Sequence, residues 1–389
     1  MPPTAPTHHD AEAAALRLAL ISARFPPRLD GIGDYTARLA HALTPEHQVR
    51  VLTAEADAFT APPGVDVVPC FRPEQRRSVA GWLDALDADP PDWVVLQFNQ
   101  FGFGRWGLNP WVPRTLARLK RRHRKLQVAV MFHERYVPAT TARFRVMRTW
   151  QVPQFRAVGR IADRVFFSIQ NWAERYATWF PHRPVVHLPV GSNLPRVPIN
   201  THDARTRLGF TNDELIVGVF GHAHGTRTLS TLAGALDAAS TAAGRPARLL
   251  YVGPDHAAVR AALPHHRVTA DGPAPAEEAS QRLSAMDLYL SDHTDGVSTR
   301  RGSLMAALQH GLPCVGTDGE STGAALRAQN GQALRLVRAG DPTAFAQAAA
   351  DLASDPIGRA SLGQAAADLY HHHYDWPVIA QRLIQELSS

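Results

Sequence analysis

Short apolar runs alternate with longer stretches of helical period along almost the whole chain. Residues 18–21, 49–52, 94–96, 128–132 and 165–167 read as strands, with helices predicted at 35–43 and 112–122 between them. This alternation predicts a parallel sheet covered by helices on both faces. The pattern pauses at the Pro- and Gly-rich passage 188–198, LPVGSNLPRVP, which reads as an interdomain linker. It then restarts, with strands at 215–220, 249–252, 288–290 and 313–315 and helices at 229–243, 277–285 and 344–352. The expected fold class is α/β, with two Rossmann-like doubly wound domains facing a cleft. The first spans 16–190 and the second 191–370.

Composition changes this picture little. A chain of 389 residues with 45% hydrophobic and 20% charged residues is globular and too long for one ordinary core. Cys70 and Cys314 form no pairing framework, the opening residues carry no basic and apolar leader pattern, and no stretch is apolar enough to span a bilayer. A cytoplasmic protein is expected, with residues 1–15 as a disordered tail.

Charge changes it more. Between Arg105 and Arg164 the chain carries fifteen Lys or Arg and only two acids, Glu134 and Asp163, so the remainder is net acidic although the whole is +6. Interleaved with Trp106, Trp111, Trp150 and Phe155, this segment would attract anionic lipid, an acidic acceptor or nucleic acid. The plain alternative is a solvated basic helix face. No nucleic-acid-binding motif accompanies it, so the partner expected is an anionic membrane surface, with the protein peripheral on its inner face.

Ligands of doubly wound sheets sit beyond the carboxyl ends of the strands, which directs attention to the loops there. The most informative is 295–317, DGVSTRRGSLMAALQHGLPCVGT. Asp295 opens it, Ser298, Thr299, Arg300 and Arg301 follow, and Gly302 and Ser303 begin a short amphipathic helix. Unpaired N–H groups at a helix start beside two arginines suit a di-anion such as a diphosphate. A bare strand-to-helix turn would explain the glycines but not the arginines. Met305, Leu308 and Leu312 read as core.

The other loops are rich in Gly, His and Arg. After the first strand come Gly31 and Gly33, which either face a ligand or only permit a tight turn. His133 and Glu134 follow the strand at 128–132; His133 is one of nineteen histidines, and Glu134 could simply pair with a nearby arginine. Asn99 and Gln100 either meet an acceptor or cap a strand end. Gly221, His222, His224 and Arg227 follow the strand at 215–220, with both histidines readable as loop fillers.

In order and spacing these loops resemble the large retaining GT-B family, the glycosyl transferases group 1 or family 4-like enzymes. The resemblance spans nearly the whole chain. It implies that Gly31 and Gly33 face the donor diphosphate and acceptor and that His133 lies beside the transferred sugar. Gly221 and His222 stand at the loop where the family has a phosphate-binding Arg, and Arg227 where it has a Lys. The family's paired glutamates, with seven residues between them, are Asp295 and Ser303 here, and a serine is too short to grip a ribose equally well. The intervening residues resemble a variant branch that holds diphosphate through backbone N–H groups and arginine. The family's hinge matches LPVGSN, and its crossing-back helix matches 371–389, which begins around Trp376 and Pro377.

By this resemblance the protein is a retaining glycosyltransferase moving a hexosyl group from a nucleoside-diphosphate sugar to an unidentified acceptor in glycolipid, polysaccharide or other glycoconjugate synthesis. His133, Asp295 and Arg227 are the expected catalytic residues. No cofactor and no metal are expected, the sugar nucleotide being a co-substrate; the sequence contains no HExxH and no Cys and His set of zinc spacing. A GT-B nucleotide-sugar epimerase and a non-catalytic nucleotide-sugar binding module are the alternatives.

Overall fold

In the computed structural model, residues 15–28, 30–223 and 226–389 are described. The tail expected over 1–15 lies outside them save for its last residue, as does His224. Seven strands build the first sheet: β1 (Arg17–Ser22), β2 (Gln48–Ala54), β3 (Val65–Phe71), β4 (Trp93–Phe98), β5 (Gln127–Phe132), β6 (Arg164–Phe167) and β7 (Val185–His187). Six build the second: β8 (Leu215–Phe220), β9 (Ala247–Val252), β10 (Arg267–Thr269), β11 (Leu288–Ser291), β12 (Cys314–Asp318) and β13 (Arg335–Arg338). Their orders are β3-β2-β1-β4-β5-β6-β7 and β10-β9-β8-β11-β12-β13, and every adjacent pair is parallel. This is the α/β architecture that the alternating pattern predicts.

The period-2 geometry of a strand sends successive side chains to opposite faces. On β1, Leu18 and Leu20 enter one apolar core and Ala19 and Ile21 another. Helices cover both faces, so central strands are apolar on both sides and read as continuous runs. The core on one side of the first sheet is aromatic, built around Phe98, Phe132, Phe155 and Phe167. The core on its other side is continuous with the second sheet's inner face and with the terminal helix Trp376–Ser388.

The chain passes between the sheets twice. The first passage, residues 188–200, has no regular structure. In the second, the helix Pro356–His373 packs against the helix Gly302–Gln309, and Trp376–Ser388 then packs against Gly31–Leu43 of the first sheet's layer. Trp376 fixes this return: its Nε1 donates to the Ser192 carbonyl at 2.7 Å, and its ring meets Tyr35 edge-on at 5.2 Å. The carboxyl ends of the two sheets consequently face each other.

Candidate active site

The loop after β11 carries the densest charge in the cleft. Asp295 accepts a 2.6 Å hydrogen bond from Arg301 Nη2, lies 3.6 Å from Arg300 Nη2 and accepts from Ser321 Oγ at 3.0 Å. Its carboxylate therefore organises the two arginines as well as facing the cleft. The helix Gly302–Gln309 starts without a side-chain cap. The N–H groups of Gly302 and Ser303 have no hydrogen-bond partner among the described residues, nor has the buried Ser298 hydroxyl. These are open donors of the kind that bind anions at helix starts.

Arg227 comes to the same place from β8. Only 7% exposed, it donates from Nη2 to the Phe220 carbonyl at 3.1 Å, while Nε and Nη1 have no partner. Among the described residues no carboxylate lies within ion-pairing distance of it. A buried guanidinium left this way is unfavourable until an anion meets it. Arg301 senses the crowding: burial pulls its pKa down to about 10, Asp295 opposes that, and the neighbouring Arg300 and Arg227 reinforce it. Gly221, at φ +93°, brings its loop so close that an added Cβ would stand 3.3 Å from the Cβ of Ser303. His222 lies at the edge, exposed, with Nδ1 3.5 Å from Asp255.

The first domain supplies the opposite wall. His133 follows β5 and is buried, with Nε2 2.8 Å from Gln97 Oε1 and its ring 4.7 Å from Tyr35. Desolvation lowers its pKa to about 3, so the imidazole is neutral at physiological pH. In the tautomer that donates Nε2–H to Gln97, Nδ1 remains as a hydrogen-bond acceptor. Glu134 stands 3.3 Å from Arg300 Nη1, across the domain boundary, and the same guanidinium lies 5.3 Å from the Trp172 ring.

The glycines divide. Gly31 has open space around its α-carbon, and its carbonyl accepts from Asn193 Nδ2 at 3.2 Å; Gly302 also faces Asn193. Gly33 is pressed against the Arg24 carbonyl, where a Cβ would come within 2.9 Å, and its N–H is taken by the capping Asp30. Its role is therefore packing, and its amide is not an open donor to a diphosphate. The structure does not bring Gln100 to the cleft: it is buried, with its amide bonded to Gln151 and Gln154 of the helix Ala142–Ile161. Asn99 caps the short turn that follows β4 by accepting from the Gly102 N–H.

Three residues beyond the sequence-derived set hold the anion loop. Thr299 donates to the Ser168 carbonyl at 2.6 Å, meets His187 at 2.8 Å, and through its own carbonyl accepts from Val190 N at 2.9 Å. Ser168 directly follows β6 and falls under the rule of inspecting loops after strands. His187 carries no such signal. Among the described residues no group of three His, Cys, Asp or Glu side chains is placed to hold a metal ion, and no helix is long and apolar enough to cross a membrane.

Residues 214–355, which include β8, the 221–227 loop and the whole anion loop, match the family described as Glycosyl transferases group 1. Over these residues the second domain resembles the group 1 glycosyl transferases. Sucrose-phosphate synthase from Thermosynechococcus elongatus superposes with a TM-score of 0.72 at 19% identity, covering 95% of this chain and 97% of that one. HepE (Alr3699) of Anabaena, solved in complex with UDP-glucose, gives 0.69 at 16% identity over 96% and 99%. WaaG, a glycosyltransferase involved in lipopolysaccharide biosynthesis, gives 0.66 at 15% over 95% and 99%. The likeness is one of GT-B fold over the full length. No curated protein matches the sequence significantly.

Proposed function

We propose that this GT-B protein is a retaining, metal-independent hexosyltransferase that binds a nucleoside-diphosphate sugar chiefly through its second domain. One observation carries the reading: Arg227 is buried with two guanidinium nitrogens unpartnered, beside Arg301, the Ser298 hydroxyl and the open N–H groups of Gly302 and Ser303. These groups suit a diphosphate. Breaking the bond between anomeric carbon and phosphate oxygen builds negative charge on the leaving group, and fixed donors already aimed there stabilise it without reorganisation. Bidentate guanidinium contacts would hold the phosphate oxygens in one orientation.

For retention, the acceptor hydroxyl attacks from the face that the nucleotide leaves, and the departing phosphate takes its proton. His133 then needs no charge. As a neutral acceptor it orients a sugar hydroxyl, in keeping with the strong depression of its pKa. Asp295 fixes Arg300 and Arg301, and its remaining acceptor capacity can meet another hydroxyl. Ser303 leaves the ribose to other contacts.

The test is to supply a panel of nucleoside-diphosphate sugars together with lipid and carbohydrate acceptors. Uridine compounds come first because the HepE neighbour holds UDP-glucose. Free nucleoside diphosphate released in step with a glycosylated product of unchanged anomeric configuration supports the proposal. Conversion of the donor alone would assign an epimerase, and thermal stabilisation without turnover a binding module.

A further inference from the structure

Four large hydrophobic side chains are exposed among the described residues: Phe101 and Trp106 at 50%, Val146 at 59%, and Ile357 at 84%. The first three share one rim of the first domain. Phe101 lies in the turn after β4, Trp106 in the next turn, and Val146 in the opening turns of the helix Ala142–Ile161.

Trp106 is held outward. Its backbone is left-handed, at φ 58° and ψ 20°, a conformation that a bulky residue keeps only where its surroundings enforce it. The enforcement comes from that helix, since Trp150 Nε1 and Gln151 Nε2 both donate to the Trp106 carbonyl, at 3.1 and 3.0 Å. The ring stands with the guanidinium groups of Arg105 and Arg143 at 5.3 and 5.7 Å from its centre. Arg143, Arg145 and Val146 are exposed neighbours on the helix, whose first turn holds no acid. The two acids of the whole basic segment are engaged elsewhere, Asp163 with Lys120 at 2.6 Å and Glu134 with Arg300.

We propose that this rim docks on an anionic lipid bilayer, with Phe101, Trp106 and Val146 entering the headgroup layer and Arg105, Arg143 and Arg145 pairing with lipid phosphates. Aromatic side chains with one face apolar and cations at the edge favour that layer. A soluble polyanion would be bound by the arginines alone and gives no account of the three protruding apolar groups. A second copy meeting the same rim across a two-fold axis would set arginine against arginine. Because Phe101 follows β4 and the basic helix follows the His133 loop, the docked rim would turn the first domain's side of the cleft towards the bilayer.

Sedimentation with phosphatidylcholine vesicles, with and without phosphatidylglycerol, tests this without any donor and so independently of sugar transfer. The protein should bind the phosphatidylglycerol vesicles at about 50 mM salt and be largely released at about 500 mM. The double variants Phe101→Ser/Trp106→Ser and Arg143→Glu/Arg145→Glu should each bind on the order of tenfold more weakly with an unchanged far-ultraviolet spectrum. In the wild type, tryptophan emission should be quenched by lipids brominated in the upper acyl chain, a reading that needs no variant. Absence of binding at low salt, equal binding by the Phe101/Trp106 variant, or absence of quenching would each overturn the proposal.

Discussion

His187 Nε2 lies 2.8 Å from Thr299 Oγ1, so the edge strand of the first sheet holds the anion loop of the second domain. The Thr299 hydroxyl gives its proton to the Ser168 carbonyl at 2.6 Å and must therefore accept from a His187 that carries hydrogen on Nε2. Both partners are buried or nearly so. Thr299→Val should cost about 1–3 kcal/mol by leaving two polar groups unpaired. It should also weaken nucleoside-diphosphate binding, while Thr299→Ser restores both. Calorimetric melting and titration with UDP and GDP measure the two effects; a valine variant that binds like wild type would dissociate loop position from the latch.

Arg227 is expected to trade stability for binding. Arg227→Ala should lower kcat about 10²- to 10³-fold, as loss of one preorganised donor to a developing anion does. Arg227→Met, which keeps the apolar stem but removes an unpaired buried charge, should melt no lower than wild type without ligand yet gain little from added nucleoside diphosphate. Equal stabilisation of both proteins by ligand would remove Arg227 from the phosphate site.

Acid should destabilise the fold through its buried histidines. Burial holds His133 at about 3 and His187 and His310 at about 4, all below the ordinary 6.5. The unfolded chain takes up protons first, so the stability these groups contribute is present above about pH 6.5 and is lost as pH falls towards 4. Asp34 acts in the opposite sense, its pKa raised to about 6 by burial and by Asp30, but it stands against three histidines. His310, bonded to Ser280 and to the Ala306 carbonyl away from the cleft, offers the clean test. His310→Gln should flatten the dependence of Tm on pH between about 7 and 4.5, and an unchanged slope would contradict the assignment.

Gly31 and Gly33 should respond differently to alanine. Gly33→Ala drives a Cβ into the Arg24 carbonyl and should destabilise by about 1–3 kcal/mol. Gly31→Ala meets open space and should fold normally, with any loss confined to binding in the cleft. Paired melting and binding curves distinguish them, and a fully active Gly31→Ala would indicate that no ligand approaches that carbon.

How far the sequence could be read follows from burial. Strand β8 and the helix Leu229–Ala243 have the bounds that the apolar pattern predicts, because the strand is buried on both faces and the helix buries one regular apolar stripe, Leu232, Ala235, Leu236 and Ala239. The four strands the pattern misses, β3, β7, β10 and β13, are the four sheet edges. An edge strand packs on fewer neighbours, so VDVVPCF, VVH, RVT and RLVR mix polar and apolar residues with no clear period. At the site, residue types and order led to Arg227 and to the 295–303 loop. Partners brought together by folding alone were illegible: Thr299 meets Ser168 and His187 from 131 and 112 positions away. Gln100 illustrates the converse, a polar residue beside a promising strand end whose amide completes an internal network.

The return of the chain at Trp376 has a mechanical consequence. Because its indole is bonded to Ser192, the two strands of polypeptide that bridge the halves are joined where they pass and behave as one axle. A swing of one half about that line can keep this bond, whereas a slide of one passage past the other would break it. Trp376→Phe, which keeps the ring and loses the bond, should loosen that pivot.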